Sequence, residues 1–276
     1  MSNIRLAIID LYNGIPNQGM RCIKEIVDSY QKDLSWKVFN LRQALEVPNL
    51  EDYDIYVFTG GPGNPLEGDG VWDEAFFQLV DDIWSFNRYS LEAKKYAFFI
   101  CHSFQMASNH FGLGSIEERH SASFGTYPVY LTDAALDDPI LGDLPNPFVV
   151  ADFRDFQLIK PNLERFEEIG AEILALEKIR PHVDYERAIM AVRFSDEILG
   201  VQFHPEADPF GMLKHFQEES SFVQVINEHG KEKYANMIRD LSHPDKIELT
   251  HNTILPAFLH QAIRSLQEKP ILSIPS

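Results

Sequence analysis

Short apolar runs alternate with helical stripes through the first hundred residues. Ile4 to Ile9 is an apolar run that ends at Asp10. A run of that length predicts a strand buried on both faces. A loop with Asn13, Gly14, Pro16, Asn17 and Gly19 follows, and then Ile23, Ile26, Val27 and Tyr30 fall on one helical face. Trp36 to Leu41 predicts a second strand, and Ile55 to Thr59 a third that runs into Gly60-Gly61-Pro62-Gly63. Val71, Ala75, Leu79, Ile83 and Phe86 mark a longer helix. Tyr96 to Ile100 is again a buried strand; it meets Cys101, and a helix through Met106 and Ala107 stops near Gly112. Strand alternating with helix predicts an α/β fold in three layers, a mostly parallel central sheet with helices on both faces.

The middle of the chain, about 120 to 203, is richer in short strands and turns. Tyr127 to Leu131, Ala188 to Phe194 and Ile198 to Phe203 are its strand candidates, with a loop at Pro145 and Pro147. After Pro209 the pattern becomes helical. Tyr234, Met237, Ile238 and Leu241 share one face, as do Leu259, Ala262, Ile263 and Leu266. The expected organisation is a domain over 1–212 with a helical extension over 213–276 packed on it.

Composition narrows the function. The 276 residues include 24 Lys+Arg against 42 Asp+Glu, a net charge of -18. Such a surface repels phosphate backbones and anionic lipid, so nucleic acid and membrane are not expected partners. Two cysteines, Cys22 and Cys101, rule out a disulfide scaffold or a four-cysteine zinc site. The N-terminus carries no signal-peptide pattern, and no apolar run approaches the roughly 20 residues of a membrane span. The expected location is the cytoplasm. His110, His120 and His182 show no ligand spacing, so neither a metal nor a cofactor is expected.

Three features could carry chemistry. Cys101 stands where a strand turns into a helix; such a turn exposes a nucleophile, and the helix N-terminus favours a thiolate. A buried structural cysteine fits that position equally well. His204-Pro205-Glu206 ends the run Gly200-Val201-Gln202-Phe203. A residue before proline is held extended, where positions i and i+2 face the same way. Glu206 can therefore orient one ring nitrogen of His204 and leave the other as a base. By itself the run reads more readily as a surface turn. Gly60-Gly61-Pro62-Gly63 lacks the features of a phosphate loop or a dinucleotide fingerprint. Its glycines would admit backbone amides close to a reacting group, as an oxyanion hole requires, or simply form a turn.

Taken together, these motifs in this order resemble the class I (triad) glutamine amidotransferases, over roughly residues 4 to 207, and among them the amidotransferase domain of GMP synthase. The resemblance implies a flavodoxin-like domain. It implies Cys101 as nucleophile, His204 as base and Glu206 as the group that orients it. Gly61 and His102 would supply oxyanion-hole amides. Gly63, Gln105, Phe153 and Arg154 would lie along the substrate. Attack on a glutamine side-chain amide would release ammonia and leave a γ-glutamyl thioester, which water hydrolyses.

Two stretches depart from the family. Its nucleophile turn commonly reads Gly-x-Cys-x-Gly-x-Gln, whereas here Phe99 and Ser103 replace both glycines. Glycines there relieve crowding, so the surroundings of Phe99 must differ. At Ala151-Asp152-Phe153-Arg154-Asp155 the family's Ser-His-Gly-Asp is missing. Arg154 would then pair with a substrate carboxylate or sit in a surface salt bridge. The expected function is glutamine hydrolysis that supplies ammonia to a separate synthase, since no ATP motif is seen. A stand-alone γ-glutamyl peptidase with the same triad is one rival. A non-catalytic binding or regulatory module is the other.

Overall fold

The computed structural model describes residues 4–90, 93–179 and 186–268. His182 and the end of the expected helical extension lie outside these residues. Nine strands form one sheet in the order β2-β1-β3-β4-β9-β8-β7-β5-β6. The strands are β1 (Ile4–Asp10), β2 (Leu34–Asn40), β3 (Ile55–Phe58), β4 (Tyr96–Ile100), β5 (Ser115–Leu131), β6 (Phe148–Ile159), β7 (Glu172–Glu177), β8 (Ile189–Ser195) and β9 (Ile198–Val201). From β2 to β9 every neighbouring pair is parallel. From β9 to β6 every pair is antiparallel.

Helices cover both faces, as the alternating pattern predicts. On one face α1 (Gln18–Asp28) and α9 (Leu249–Gln267) bury Ile23, Val27, Leu255, Phe258 and Leu259 against Leu6, Ile8, Val57 and Phe98. On the other, α3 (Trp72–Tyr89) and α4 (His102–His110) bury Phe76, Leu79, Phe104 and Ala107 against Ala7, Tyr56, Phe58 and Phe99. A one-turn helix α2 (Leu41–Ala44) follows β2. The α1 start is read directly from its residues, because Asn17 is the N-cap and its side chain accepts from the Gly19 N–H.

After β9 come α6 (Pro209–Gln217), α7 (Glu219–His229) and α8 (Lys231–Leu241), while α5 (Leu163–Ile169) precedes β7. Together α6, α7 and α8 bury Phe216, Val225, Met237 and Leu241 against Val149 and Ala151 of β6, in a third apolar cluster. Phe124 and Phe153 join its edge. Helix α9 then returns to the parallel half, where Ile254, Leu255 and Phe258 lie in the main core. Among the described residues no helix is long and apolar enough to cross a membrane.

The antiparallel half holds more strand than the sequence pattern suggests. β5 begins at Ser115 rather than near Tyr127, and β6 was not expected as a strand. In β6, Asp152 and Arg154 sit on one face and Phe153 on the other, by the two-residue period of a strand. Asp152 is 1 % exposed and Arg154 6 %, so charged residues occupy interior positions and mask the apolar signal.

Candidate active site

Loops at the carboxyl ends of β1, β3, β4 and β9 meet at one place, where ligands bind in open parallel sheets. Cys101 follows β4 directly. Its φ of +50° and ψ of -100° are outside the regions that side chains prefer. Such a conformation costs on the order of 1–3 kcal/mol and persists only where the surroundings impose it. They do: the Cys101 N–H donates to Val201 O of β9 at 2.8 Å, and Cys101 O accepts from Gln105 N–H at 3.0 Å.

The substitutions at this turn have a packing explanation. Phe99 is paired in register with Gly200 of β9. A Cβ on Gly200 would lie 3.4 Å from Phe99 Cβ and 2.7 Å from the Phe104 ring. Gly200 on the neighbouring strand thus leaves room chiefly for the Phe104 and Phe194 rings, at 2.7 and 2.9 Å from that Cβ. Phe99 fills the space with Phe58, whose ring centroid is 4.7 Å away, and with Phe194 at 5.8 Å. Ser103 uses its hydroxyl where the family has glycine: it accepts from Ile100 N–H at 2.9 Å and lies 3.0 Å from Phe58 O.

His204 Nδ1 lies 2.8 Å from Glu206 Oε1, the contact expected from extended residues two apart. The Glu206 side chain is fully buried, and that of His204 keeps 18 % of its surface. The His204 N–H donates to Ala151 O at 2.9 Å, which ties this turn to β6. Burial alone would lower the His204 pKa; the charges of Glu206 and Cys101, and hydrogen bonds to both, overcome this and hold it well above 6.5. Because folding raises it, the stability it contributes is complete below pH 6.5 and is lost as pH rises through the folded-state value.

Gly60 separates the two turns. A Cβ there would lie 3.1 Å from His204 Cε1 and 3.7 Å from Cys101 Cβ. At Gly61 a Cβ would come within 2.8 Å of Leu11 O, a backbone atom that cannot yield, so only glycine fits. Gly63 is exposed at the outer end of the loop with φ +89°. Arg42 braces this loop by donating to Pro62 O at 2.7 Å, and stacks on Trp72 at 4.5 Å. The His102 side chain packs behind Gly61, where Cδ2 would lie 3.2 Å from a Cβ on that glycine. Burial, aided by the charge of Arg42, depresses its pKa to about 3. His102 therefore stays neutral.

The expected substrate residues separate. The Phe153 carbonyl is 3.9 Å from Cys101 Sγ, and its ring lies 6.2 Å from the His204 ring, so Phe153 stands at the site. Gln105 is one step removed: its amide donates to Phe156 O at 2.9 Å and to Gln202 Oε1 at 3.0 Å. Gln202, which sequence reasoning passed over inside its own motif, places its amide 3.9 Å from Cys101 Sγ. Arg154 is neither at the site nor on the surface. Its Nε is 3.0 Å from both Asp152 oxygens, and its side chain is 1 % exposed. Phe153 and Arg154 are adjacent in a strand and cannot face the same way.

Beside His204 opens a cleft of about 810 Å³. His204, Glu206 and Phe153 line it on one side, with Met212 and Phe216 of α6 and the Pro16–Arg21 segment on the other. Arg21 clamps its rim by pairing with Asp208 at 3.0 Å, the residue whose side chain also caps α6.

Comparison with known proteins extends this picture. The family model described as "Glutamine amidotransferase class-I" matches residues 7–220. No curated protein gives a significant sequence match. A glutamine amidotransferase from Thermotoga maritima shares the fold with a TM-score of 0.69 at 16 % identity, over 95 % of this chain and 99 % of its own. One from Methylobacillus flagellatus gives 0.67 at 13 % identity, over 98 % and 96 %. A protein from Thermoplasma acidophilum, named as a component of GMP synthase, gives 0.52 at 17 %, over 75 % and 87 %. At such identities the structures speak for the fold alone, and the sequence model decides the family: the chain belongs to the class I glutamine amidotransferases.

Proposed function

We propose that the protein hydrolyses a glutamine side-chain amide to glutamate and ammonia, with Cys101 as nucleophile, His204 as base and Glu206 as its orienting carboxylate. The observation that carries this reading is the 2.8 Å contact of His204 with a fully buried Glu206, beside a cysteine held at positive φ. The Cys101 thiolate attacks the amide carbon, and its oxygen takes the developing charge. The backbone amides of Gly61 and His102 are the donors for that oxygen. His204 gives a proton to the nitrogen as ammonia leaves. Water then attacks the γ-glutamyl thioester with His204 as base, and glutamate departs. Glu206 keeps the imidazole oriented through both halves.

The ammonia then goes to a separate synthase. The fold likeness to a protein named as a component of GMP synthase supports this half of the reading. A cytoplasmic setting, where free thiols such as Cys22 and Cys101 stay reduced, accompanies it. The cleft favours a second reading. About 810 Å³ suits a drug-sized ligand rather than one amino acid, so a γ-glutamyl peptide or amine is the alternative substrate of the same triad.

A glutamine analogue with an electrophilic carbon tests the site. It should add its mass to the Cys101 peptide and not to the Cys22 peptide. A well-folded protein that remains unlabelled would instead be a non-catalytic member of the fold.

A further inference from the structure

A hydroxyl outside the triad grips the loop that carries Gly61. Thr59 follows β3 directly and is fully buried. Two hydrogen bonds tie it to the chain at the end of β1. Its N–H donates to Ile9 O at 3.0 Å, and its Oγ1 accepts from the Leu11 N–H at 3.0 Å. A hydroxyl has one hydrogen to give. That hydrogen goes to Gly60 O, a pure acceptor 2.8 Å away.

Gly60 O belongs to the peptide unit that also carries the Gly61 N–H. The unit is trans and planar, so its C=O and N–H point in opposite directions. A hold on the carbonyl therefore sets the direction of the amide. The unit stands beside the reacting groups, because a Cβ on Gly60 would lie 3.1 Å from His204 Cε1 and 3.7 Å from Cys101 Cβ. Glycines on both sides give it no steric guidance, so a hydrogen bond must fix it.

Other contacts steady the loop around this peptide. Arg42 donates to Pro62 O at 2.7 Å. The Leu11 carbonyl packs so close to Gly61 that a Cβ there would come within 2.8 Å of it. Leu11 thus meets the loop twice, through its N–H by way of Thr59 and through its oxygen against Gly61. Of these grips, the Thr59 hydroxyl is the one that bonds to the Gly60–Gly61 peptide itself.

Resting on the proposed role of the Gly61 amide in the oxyanion hole, we infer that Thr59 is a positioning residue: its hydroxyl holds the Gly60 carbonyl and so aims the Gly61 N–H at the oxygen that takes charge when Cys101 attacks. The sheet is the fixed reference. The end of β1 holds Thr59, and Thr59 holds the peptide. A donor aimed in advance needs no reorganisation when the charge develops. Without the hydroxyl the amide is still present, but it turns away from that oxygen for part of the time.

The test compares Thr59→Val and Thr59→Ser with the parent in two reactions of Cys101. The first is cleavage of L-glutamine or of γ-L-glutamyl 4-nitroanilide, in which the carbonyl oxygen takes charge. The second is alkylation by iodoacetamide, read on the Cys101 peptide. There the thiolate displaces iodide from a saturated carbon and no oxyanion forms. Thr59→Val keeps the branched shape and loses the donor. It should lower kcat about 10- to 100-fold with KM unchanged, less than the roughly 100- to 1,000-fold of outright donor removal. Alkylation should stay within about twofold of the parent, because the thiolate is untouched. Thr59→Ser keeps the hydroxyl and should bring kcat back to within about threefold of the parent. Thr59→Ala carries the test if Thr59→Val does not fold. A kcat within about twofold of the parent, in a folded variant without the hydroxyl, overturns the inference. So does an equal loss in both reactions, or a Thr59→Ser variant no better than Thr59→Val. A parent that cleaves the anilide but not glutamine counts against the glutaminase reading alone, and Thr59 is then judged on the anilide. A parent that takes iodoacetamide on Cys101 and cleaves neither substrate overturns both.

Discussion

The two halves of the sheet treat charge in opposite ways. In the parallel half, β1, β3 and β4 are apolar along most of their length, and polar groups gather past their carboxyl ends. There Glu206 is buried with His204 on one oxygen and no hydrogen-bond partner on the other. In the antiparallel half Arg119, Arg154 and Arg193 are buried within the layers, each paired with a carboxylate at 3.1, 3.0 and 2.7 Å. These pairs are structural. A buried charge matched by its opposite supports the fold even where one nitrogen, Arg193 Nη1, has no partner; the unpartnered Glu206 oxygen is set apart by its place beside the cleft.

Substitutions can break this contrast. The largest effect is expected at the triad: His204→Ala should reduce kcat roughly 10,000-fold and Glu206→Ala roughly 100-fold, because orienting a base matters less than being one. The reverse order, measured by steady-state kinetics, would give Glu206 a different role. In the antiparallel half the damage should fall on stability. Arg154→Ala strands Asp152 in the interior and should cost about 3–5 kcal/mol in urea unfolding, with KM for the remaining folded enzyme unchanged. A marked rise in KM would return Arg154 to the substrate.

Smaller effects sharpen the comparison. Gly200→Ala places a methyl 2.7 Å from the Phe104 ring, and should destabilise by about 1–3 kcal/mol through overpacking. Phe99→Ala in the same chain should add to the loss rather than relieve it, because the Phe99 atom nearest that methyl is Cβ, which alanine keeps, and the missing ring leaves a cavity. The effect of His102 shows only in the pH dependence. Its folded pKa is lowered to about 3 from 6.5, so its contribution is present above pH 6.5 and lost as pH falls toward 3. The parent should lose up to about 1.4 kcal/mol per pH unit there from this group, and His102→Gln should flatten that limb.

The same contrast explains what could be read from sequence. Runs such as Ile4 to Ile9 and Tyr96 to Ile100 are apolar because parallel strands are covered on both faces, and their ends located the turn at Cys101. The His204–Glu206 contact followed from the extended backbone before Pro205. β6 was hidden because Asp152 and Arg154 cancel each other inside the fold, and no hydropathy pattern encodes a pair. The packing around Phe99 was hidden because Gly200, which leaves room for the Phe104 and Phe194 rings, lies about a hundred residues away on β9, and only strand register brings it opposite.

Ammonia release from L-glutamine and from a panel of γ-glutamyl peptides and amines, by the parent and by Cys101→Ala, tests the central claim most directly. The account predicts release, or peptide cleavage, that falls at least about 1,000-fold in Cys101→Ala while the fold persists. Hydrolysis in that variant within about tenfold of the parent would contradict it, because the bond-breaking step would then not pass through Cys101.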